Sequence, residues 1–175
     1  MSLNLGFCID AEPWRLSRGF HPSKVGGKPV WLVPENLPER TCPRCQCQLR
    51  FVLQIYAPGG YSEEGDEDNS FHRTVYLFVC ASKNGCTGGA VAVRQQLPEK
   101  NEFYPEVAPD YENPAELAKL DVSHPVRQKM CNVCGFASSF HCAACKQVSY
   151  CSKECQVLDW KEGGHRDVWY GFIIS

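Results

Sequence analysis

The middle of the chain holds three apolar runs that predict an antiparallel β-sheet, and the first of them alternates apolar and polar residues. One run covers residues 49–56, a second covers residues 71–80, and a shorter third covers residues 90–94. β-Branched and aromatic residues are frequent in the first two runs, as expected for strands. Strict alternation would give the first strand one apolar face, formed by Leu49, Phe51, Leu53 and Ile55.

The segments beside these runs carry weaker patterns. Pro29 and Pro34 bound a short apolar stretch, which we interpret as a further strand. The acidic stretch at residues 57–70 is interpreted as a solvated hairpin loop, with a regulatory acidic patch as the alternative. Residues 97–112 have the prolines and charges of an irregular linker.

A short helix is predicted at residues 113–120. Asn113 can cap its first turn, and Pro114 fits the first helical position. Glu116 stands where the acidic member of a capping box is found.

The composition narrows the class of protein. The chain has 175 residues, 12 cysteines and a net charge of −2. From residue 131 onward four basic side chains stand against four acidic ones, so the basic face of a nucleic-acid binder is missing and no direct nucleic-acid contact is expected. No apolar run is long enough for a signal peptide or a membrane span, so we expect no membrane contact and a location in the cytoplasm and nucleus. Cysteines in that setting favour metal over disulfides.

Paired cysteines dominate the last quarter of the chain. The pattern reads Cys131-x2-Cys134, Cys142-x2-Cys145, Cys151-x3-Cys155 and then His165. The last pair is one helical turn apart, so both sulfurs can reach one metal ion. Two interleaved zinc sites are predicted, the first formed by Cys131, Cys134, Cys151 and Cys155, and the second containing Cys142, Cys145 and His165.

A helix is expected to carry the last cysteine pair. Ser152 can cap it, and it would run to about Glu162 before Gly163 and Gly164 end it.

Another zinc site is predicted from strand topology. Cys42-x2-Cys45 precedes the first strand, and Cys80 ends the second. An antiparallel return places Cys80 beside the start of the first strand, and a glycine-rich turn can bring Cys86 to the same point. Four thiolates then meet at the base of one hairpin, as in zinc ribbons.

The remaining candidate side chains are given structural interpretations. His72 is a lone histidine at a strand start and is expected to be a hydrogen-bonded structural group, and we extend that interpretation to His21 and His124. Cys47 lies outside the knuckle and is expected to be free. Cys8 is isolated and is expected in the core.

The cysteine-rich end resembles the MYND zinc finger, with which it shares Tyr150-Cys151-x3-Cys155-Gln156 and then Trp160. The resemblance implies a protein-interaction module with a peptide groove near Gln156 and Trp160. It would place a histidine at position 164 and a final cysteine at position 168. The chain has Gly164 and Val168 there, and His165 comes one residue late.

We therefore expect two zinc ions, at the hairpin site and at the first finger site. The second finger site offers only three ligands, so a third zinc ion is not expected from the sequence.

The N-terminal half resembles the programmed cell death protein 2 family, whose members carry a MYND finger at this place. The resemblance extends from residue 5 to about residue 163. It is carried by residues 22–32, the Cys42-x2-Cys45 knuckle and residues 53–58, 71–73, 76–78 and 96–104. Family members have a C-terminal region after the finger, so the chain is expected to be a truncated or splice form.

These patterns predict an α+β fold that is mainly β. A β-rich N-terminal part with the zinc-ribbon-like hairpin would occupy residues 1–112, followed by a linker with a short helix at residues 113–130. The MYND-type finger would occupy residues 131–165 and a divergent tail residues 166–175.

The resemblance implies a non-enzymatic, chaperone-like adaptor for a small-subunit ribosomal protein in ribosome biogenesis. The alternative is a transcriptional or signalling adaptor that binds proline-rich peptides through the finger and regulates apoptosis or cell proliferation. An enzyme is not expected, because thiolate-rich sites suit structural zinc and the chain has no phosphate-loop or dinucleotide-binding motif.

Overall fold

An antiparallel sheet forms the centre of the N-terminal part. The computed structural model describes residues 7–59, 69–82, 86, 89–105 and 128–167. Four strands pair in the order β1-β2-β3-β4, and they are β1 (Lys24–Val25), β2 (Leu49–Tyr56), β3 (His72–Cys80) and β4 (Ala90–Leu97). Two short 3₁₀ helices, Pro13–Leu16 and Arg18–Phe20, precede the sheet. The predicted mainly-β class is confirmed, and the three long strands lie on the three runs predicted from the sequence.

The finger contains a small hairpin and one helix. Strand β5 (Phe140–His141) pairs with β6 (Ser149–Tyr150), and helix α1 (Lys153–Lys161) follows. Ser152 caps α1 as predicted, because its Oγ accepts a hydrogen bond of 3.3 Å from the backbone N–H of Cys155.

A β-bulge changes the faces of β2. Its pairing with β3 shifts register between Phe51 and Leu53, so the residues after the bulge change sides. Phe51 packs against the core, whereas Ile55 is 51% exposed. Gln54 takes the inward position and is 2% exposed. The prediction of one continuous apolar face along this strand is therefore wrong.

The stretch between Pro29 and Pro34 is not a strand, contrary to its prediction. Its backbone N–H groups donate to side chains of the sheet rather than to a neighbouring backbone. These hydrogen bonds join Val30 to Gln54, Leu32 to Tyr76 and Val33 to Gln95, at 2.6 to 3.0 Å. Because these side chains satisfy the buried amides, no ladder is needed.

The first knuckle of the finger packs into the core of the N-terminal part. Phe136 is 2% exposed, and its ring centroid lies 5.9 Å from that of Trp31. The indole Nε1 of Trp31 donates a 2.6 Å hydrogen bond to the carbonyl of Gly135. The two rings belong to one buried cluster with Tyr76 and Phe78 of β3. The finger and the sheet therefore share a core.

Some predictions fall outside the described ranges, namely the helix at residues 113–120, the centre of the acidic loop, His124 and the tail beyond residue 167. Cys8 is exposed, so its predicted place in the core is wrong. It belongs to an exposed stretch, residues 7–15, in which Trp14 packs edge-on against Phe20 with ring centroids 5.2 Å apart. Among the described helices, none combines the length and apolar character that crossing a bilayer requires.

Candidate metal centres

Four cysteines meet at the base of the β2–β3 hairpin. Pairing of Leu49 with Cys80 brings the end of β3 to the loop before β2. The Sγ atom of Cys45 lies 3.4 Å from that of Cys80, and the Sγ atom of Cys42 lies 4.0 Å from that of Cys86. All four sulfurs lie within 4.8 Å of one another, so the structure brings together the set that the hairpin topology predicts.

A tight backbone turn shapes this hairpin site. Cys42 donates its N–H to the carbonyl of Cys47 at 2.7 Å, and Gln46 donates to Cys42 at 2.9 Å with a left-handed φ of 60°. The backbone N–H of Cys47, and then the thiol of Cys86, lower the pKa of Cys45 to about 6. Hydrogen bonds to a thiolate stabilise its charge, and the thiolate is the form that binds zinc. Cys47 itself is exposed and lies outside the cluster.

The first finger site has the four predicted sulfurs within 4.8 Å of one another. The Sγ atoms of Cys134 and Cys151 are 3.4 Å apart, and those of Cys151 and Cys155 are 3.6 Å apart. Hydrogen bonds from the thiols of Cys134 and Cys155 lower the pKa of Cys131, while its hydrogen bond with Cys131 raises the pKa of Cys134. The sulfurs thus share their protons, which a bound zinc ion would displace.

The second finger site brings three side chains together. The sulfurs of Cys142 and Cys145 and an imidazole nitrogen of His165 lie within 4.8 Å of one another, and the Sγ atom of Cys145 is 3.5 Å from Nε2 of His165. Gly164 has a φ of +78°, and this left-handed turn directs the chain so that His165 reaches the pair despite coming one residue late. The Trp160 ring packs edge-on against the imidazole, with centroids 5.7 Å apart.

Sequence reasoning missed Arg40, which joins the N-terminal part to the first finger site. Its Nη1 atom lies 2.9 Å from Cys155 Sγ and 3.5 Å from Cys151 Sγ. Burial opposes the charge of the guanidinium, but the thiolate of Cys134 and those of the two contacted cysteines raise its pKa. No local pattern could reveal this contact, because its partners lie 111 and 115 residues away.

Asp159 was also missed, and it is a buried carboxylate inside the finger. It is 5% exposed, and its Oδ2 accepts hydrogen bonds from Tyr150 Oη at 2.7 Å and from Asn132 Nδ2 at 3.0 Å. Burial, and next the bond to Asp159, raise the pKa of Tyr150, so the phenol remains the donor. The carboxylate therefore fastens α1 to β6 and to the first knuckle.

The two residues expected near a peptide groove lie on α1. Gln156 and Trp160 are four residues apart, so they share one side of the helix, and both are half-buried.

The donor sets suit zinc. Two clusters offer four sulfurs each, and the third offers two sulfurs and an imidazole, which are the ligands that structural zinc prefers. The chain binds zinc at two or three sites. Hydrolytic zinc centres more often carry histidine and carboxylate ligands with an open position.

Sequence comparison matches each part of the chain to a protein family. The family described as "Programmed cell death protein 2, N-terminal domain" matches residues 2–111, and the family described as "MYND finger" matches residues 131–168. No solved structure matches the chain.

Two longer relatives match nearly the whole chain. Programmed cell death protein 2 of Rattus norvegicus is 41% identical over 171 residues, covering 93% of this chain and 47% of that protein. The Bos taurus protein of the same name is 40% identical over 163 residues, covering 91% of this chain and 46% of its own length. A shorter match, 44% identical over 48 residues, is to Tudor domain-containing protein 1 of Mus musculus, covering 27% of this chain and 4% of that protein.

The fold and the clusters define a zinc-binding protein in which a MYND finger is packed onto a β-sheet domain. The chain belongs to the programmed cell death protein 2 family. It spans about half the length of the curated relatives it matches. Membership of this family, together with the finger, points to a non-enzymatic adaptor for protein–protein interaction.

Proposed function

We propose that the chain is a zinc-stabilised adaptor that holds a small-subunit ribosomal protein during ribosome assembly, in the cytoplasm and the nucleus. The family supports the adaptor class, and the resemblance supports the ribosomal partner. The observation that carries the proposal is the open face of the sheet.

The open face is the side of the sheet opposite the core. Cross-strand pairing of β1, β2 and β3 groups its apolar side chains, which are Val25, Leu53, Ile55, Val75, Leu77 and Val79. Three of them are well exposed, with Val25 at 62%, Ile55 at 51% and Val79 at 37%. Contiguous apolar surface of this kind marks sites of protein interaction. A newly made ribosomal protein that exposes apolar surface before assembly would gain solubility by burying that surface there.

Co-expression with individual small-subunit ribosomal proteins tests this proposal. We expect the chain to raise the soluble yield of at least one of them several-fold and to co-purify with it. Ile55→Glu and Val79→Glu each place a charge on the open face and should abolish both effects.

Val157→Glu is the matched control, since it introduces the same charge at a 42% exposed valine on α1. It should leave the complex intact. The proposal fails if no small-subunit protein gains solubility. Loss of the complex in Val157→Glu alone would assign the partner to the finger and reject the open face.

Proline-rich peptides are the second candidate ligand, in a transcriptional or signalling adaptor that acts in apoptosis or cell proliferation. Helix α1 exposes Val157 and Leu158 beside Lys153 and Lys161, around a shallow groove of about 440 Å³. Apolar side chains flanked by polar ones suit a peptide with apolar rings and backbone carbonyls.

Fluorescence anisotropy with a labelled proline-rich peptide tests this second role. Gln156→Ala and Trp160→Ala should weaken binding at least tenfold, while the exposed control Lys129→Ala should not. Zinc content is measured in parallel, because Trp160 packs on His165. Wild-type affinity in both Gln156→Ala and Trp160→Ala would contradict the predicted peptide contacts of these two residues.

A further inference from the structure

Arg40 is held at the base of the hairpin by the backbone of its own domain. Its carbonyl accepts a 2.9 Å hydrogen bond from the N–H of Leu49, and its Nε donates a 3.2 Å hydrogen bond to the carbonyl of the same residue. Thr41 and Gln48 form a bridge next to it. The guanidinium is therefore anchored at one end before it reaches the finger.

The other end of the guanidinium meets the finger's first metal site. Its Nη1 atom approaches the sulfurs of Cys155 and Cys151 at 2.9 and 3.5 Å. A weaker contact of 3.5 Å joins Gln48 Nε2 to Ser152 Oγ, the hydroxyl that caps α1. Two side chains from the hairpin base thus reach the turn that carries the cysteine pair.

The negative charge of the metal site explains why a cation at this position would stabilise it. A zinc ion with four thiolates carries a net charge of about −2. A planar guanidinium that bonds the ligand sulfurs offsets part of this charge and withdraws electron density from the thiolates. Such outer partners of metal ligands commonly change metal affinity by about 10- to 100-fold.

Two other charged groups line the same cleft between sheet and finger, which has a volume of about 480 Å³. They are Arg50 and Glu154, both exposed, and neither makes a described hydrogen bond to the sulfurs. Arg40 is thus the cation that reaches the thiolates among the described residues of this cleft.

We propose that Arg40, supplied by the N-terminal domain, is a positioning residue for the finger's first zinc site. It slows the loss of zinc from that site and the alkylation of the cysteine ligands there. The finger's metal stability then depends on its docking against the sheet. The N-terminal domain acts as an outer coordination shell for the finger, in addition to carrying its own zinc.

Residue-resolved alkylation of the zinc-loaded full chain tests this proposal. Iodoacetamide is added with excess EDTA, and modification of each cysteine is followed by mass spectrometry. Arg40→Gln should speed alkylation of Cys151 and Cys155 about tenfold, with less than a twofold change at Cys42 and Cys45. Arg40→Lys should be intermediate, because an ammonium keeps the charge but cannot bond the Leu49 carbonyl and both sulfurs in one plane.

Arg50→Gln is the matched control, since it removes the same charge from the same cleft. It should behave as wild type. Equal rates in Arg40→Gln and Arg50→Gln would overturn the proposal, as would an equal acceleration at all cysteines, which would show a general loss of stability.

A spectroscopic readout separates bonding to sulfur from fold stability. With Co²⁺ in place of zinc, the loss of a hydrogen bond to a ligand thiolate should move the sulfur-to-cobalt charge-transfer band to lower energy in Arg40→Gln and, to a smaller extent, in Arg40→Lys. If Arg40→Gln does not fold, the Arg40→Lys band decides. A band unchanged from that of Arg50→Gln would overturn the proposal.

Discussion

The imidazole of His21 lies in a stack of aromatic rings at the edge of the sheet. Its ring centroid is 4.4 to 4.7 Å from those of Tyr56, His72 and Tyr104. Its Nδ1 atom is buried and has no hydrogen-bond partner within the part of the chain that the structure describes. His72, in contrast, pairs its Nδ1 with the Tyr56 hydroxyl at 2.9 Å, which is the structural role predicted for it. Burial, and next the charge of His72, lower the pKa of His21 to about 4.

This depressed pKa predicts a loss of stability in mild acid. The unfolded chain, with an ordinary histidine pKa of about 6.5, binds more protons than the folded chain between pH 6.5 and pH 4. The contribution of neutral His21 to the free energy of unfolding is therefore complete above pH 6.5 and is lost as the pH drops towards 4. Through His21, the free energy of unfolding should fall by about 2 kcal/mol between pH 7 and pH 5.

Urea unfolding of wild type and His21→Asn at both pH values measures this contribution. Asparagine tolerates the left-handed backbone at position 21, where φ is 45°. The difference in pH dependence between the two chains isolates His21 from acid-driven zinc loss, which affects both. Parallel pH profiles would contradict the prediction.

A single hydroxyl group in the core carries a second prediction. The Tyr76 hydroxyl accepts a 2.6 Å hydrogen bond from the buried N–H of Leu32. Tyr76→Phe would leave that donor unsatisfied and should lower the free energy of unfolding by about 1–3 kcal/mol. Urea denaturation of the zinc-loaded chain measures the loss.

Tyr104→Phe is the comparison for this change. The Tyr104 hydroxyl donates to the carbonyl of the same Leu32 at 2.8 Å. A carbonyl tolerates a missing partner better than an N–H does, so Tyr104→Phe should cost less. A larger cost in Tyr104→Phe than in Tyr76→Phe would contradict this ranking.

Among the elements, the first finger knuckle depends most on a close approach to the N-terminal part. Gly135 has a φ of +74°, and a Cβ there would lie 3.1 Å from the ring of Pro29. Gly26 has nearly the same φ, +73°, with nothing within 4 Å of a Cβ. Alanine at either position bears the left-handed strain of about 1–2 kcal/mol, but only Gly135→Ala also crowds the docking contact.

Gly135→Ala should therefore destabilise the chain more than Gly26→Ala does, by about 1 kcal/mol or more. Thermal unfolding of the two zinc-loaded variants measures the difference. Equal costs would mean that the knuckle can shift away from Pro29 freely, which would contradict tight docking.

For the molecule as a whole, the number of bound zinc ions is the decisive quantity. The structure raises the sequence-based expectation of two ions to three in native mass spectrometry, since three clusters have their donor atoms within 4.8 Å. Cys80→Ser, Cys151→Ser and His165→Ala should each remove one ion. The ion at the second finger site should be lost first to a chelator, because three described side chains hold it rather than four.

Two ions in wild type, unchanged in His165→Ala, would show that the second finger site does not load. One ion would refute either the hairpin site or the first finger site.

The zinc clusters were the most predictable part of the molecule. The short spacing within each cysteine pair holds two sulfurs close together. The antiparallel return of the second strand predicts the position of Cys80, and the helical periodicity predicts that of Cys155. The side-chain faces of β2 could not, because a bulge has no clear signal in the apolar pattern and moves Gln54 inward. The stretch at residues 29–34 is not the strand that its apolar pattern predicts, because its amides donate to side chains and not to a neighbouring backbone.

Three local features therefore follow from the order of residues alone, namely the cysteine pairs, the Ser152 cap and the long strands. These features depend on neighbours within a turn, a helix or a hairpin, where spacing along the chain fixes distance in space. The docking of Phe136 against Trp31 and the contact of Arg40 with the finger sulfurs depend instead on how two distant parts pack. That packing buries one shared core and puts a cation beside a cluster of thiolates, and neither follows from spacing, because over a hundred residues separate the partners.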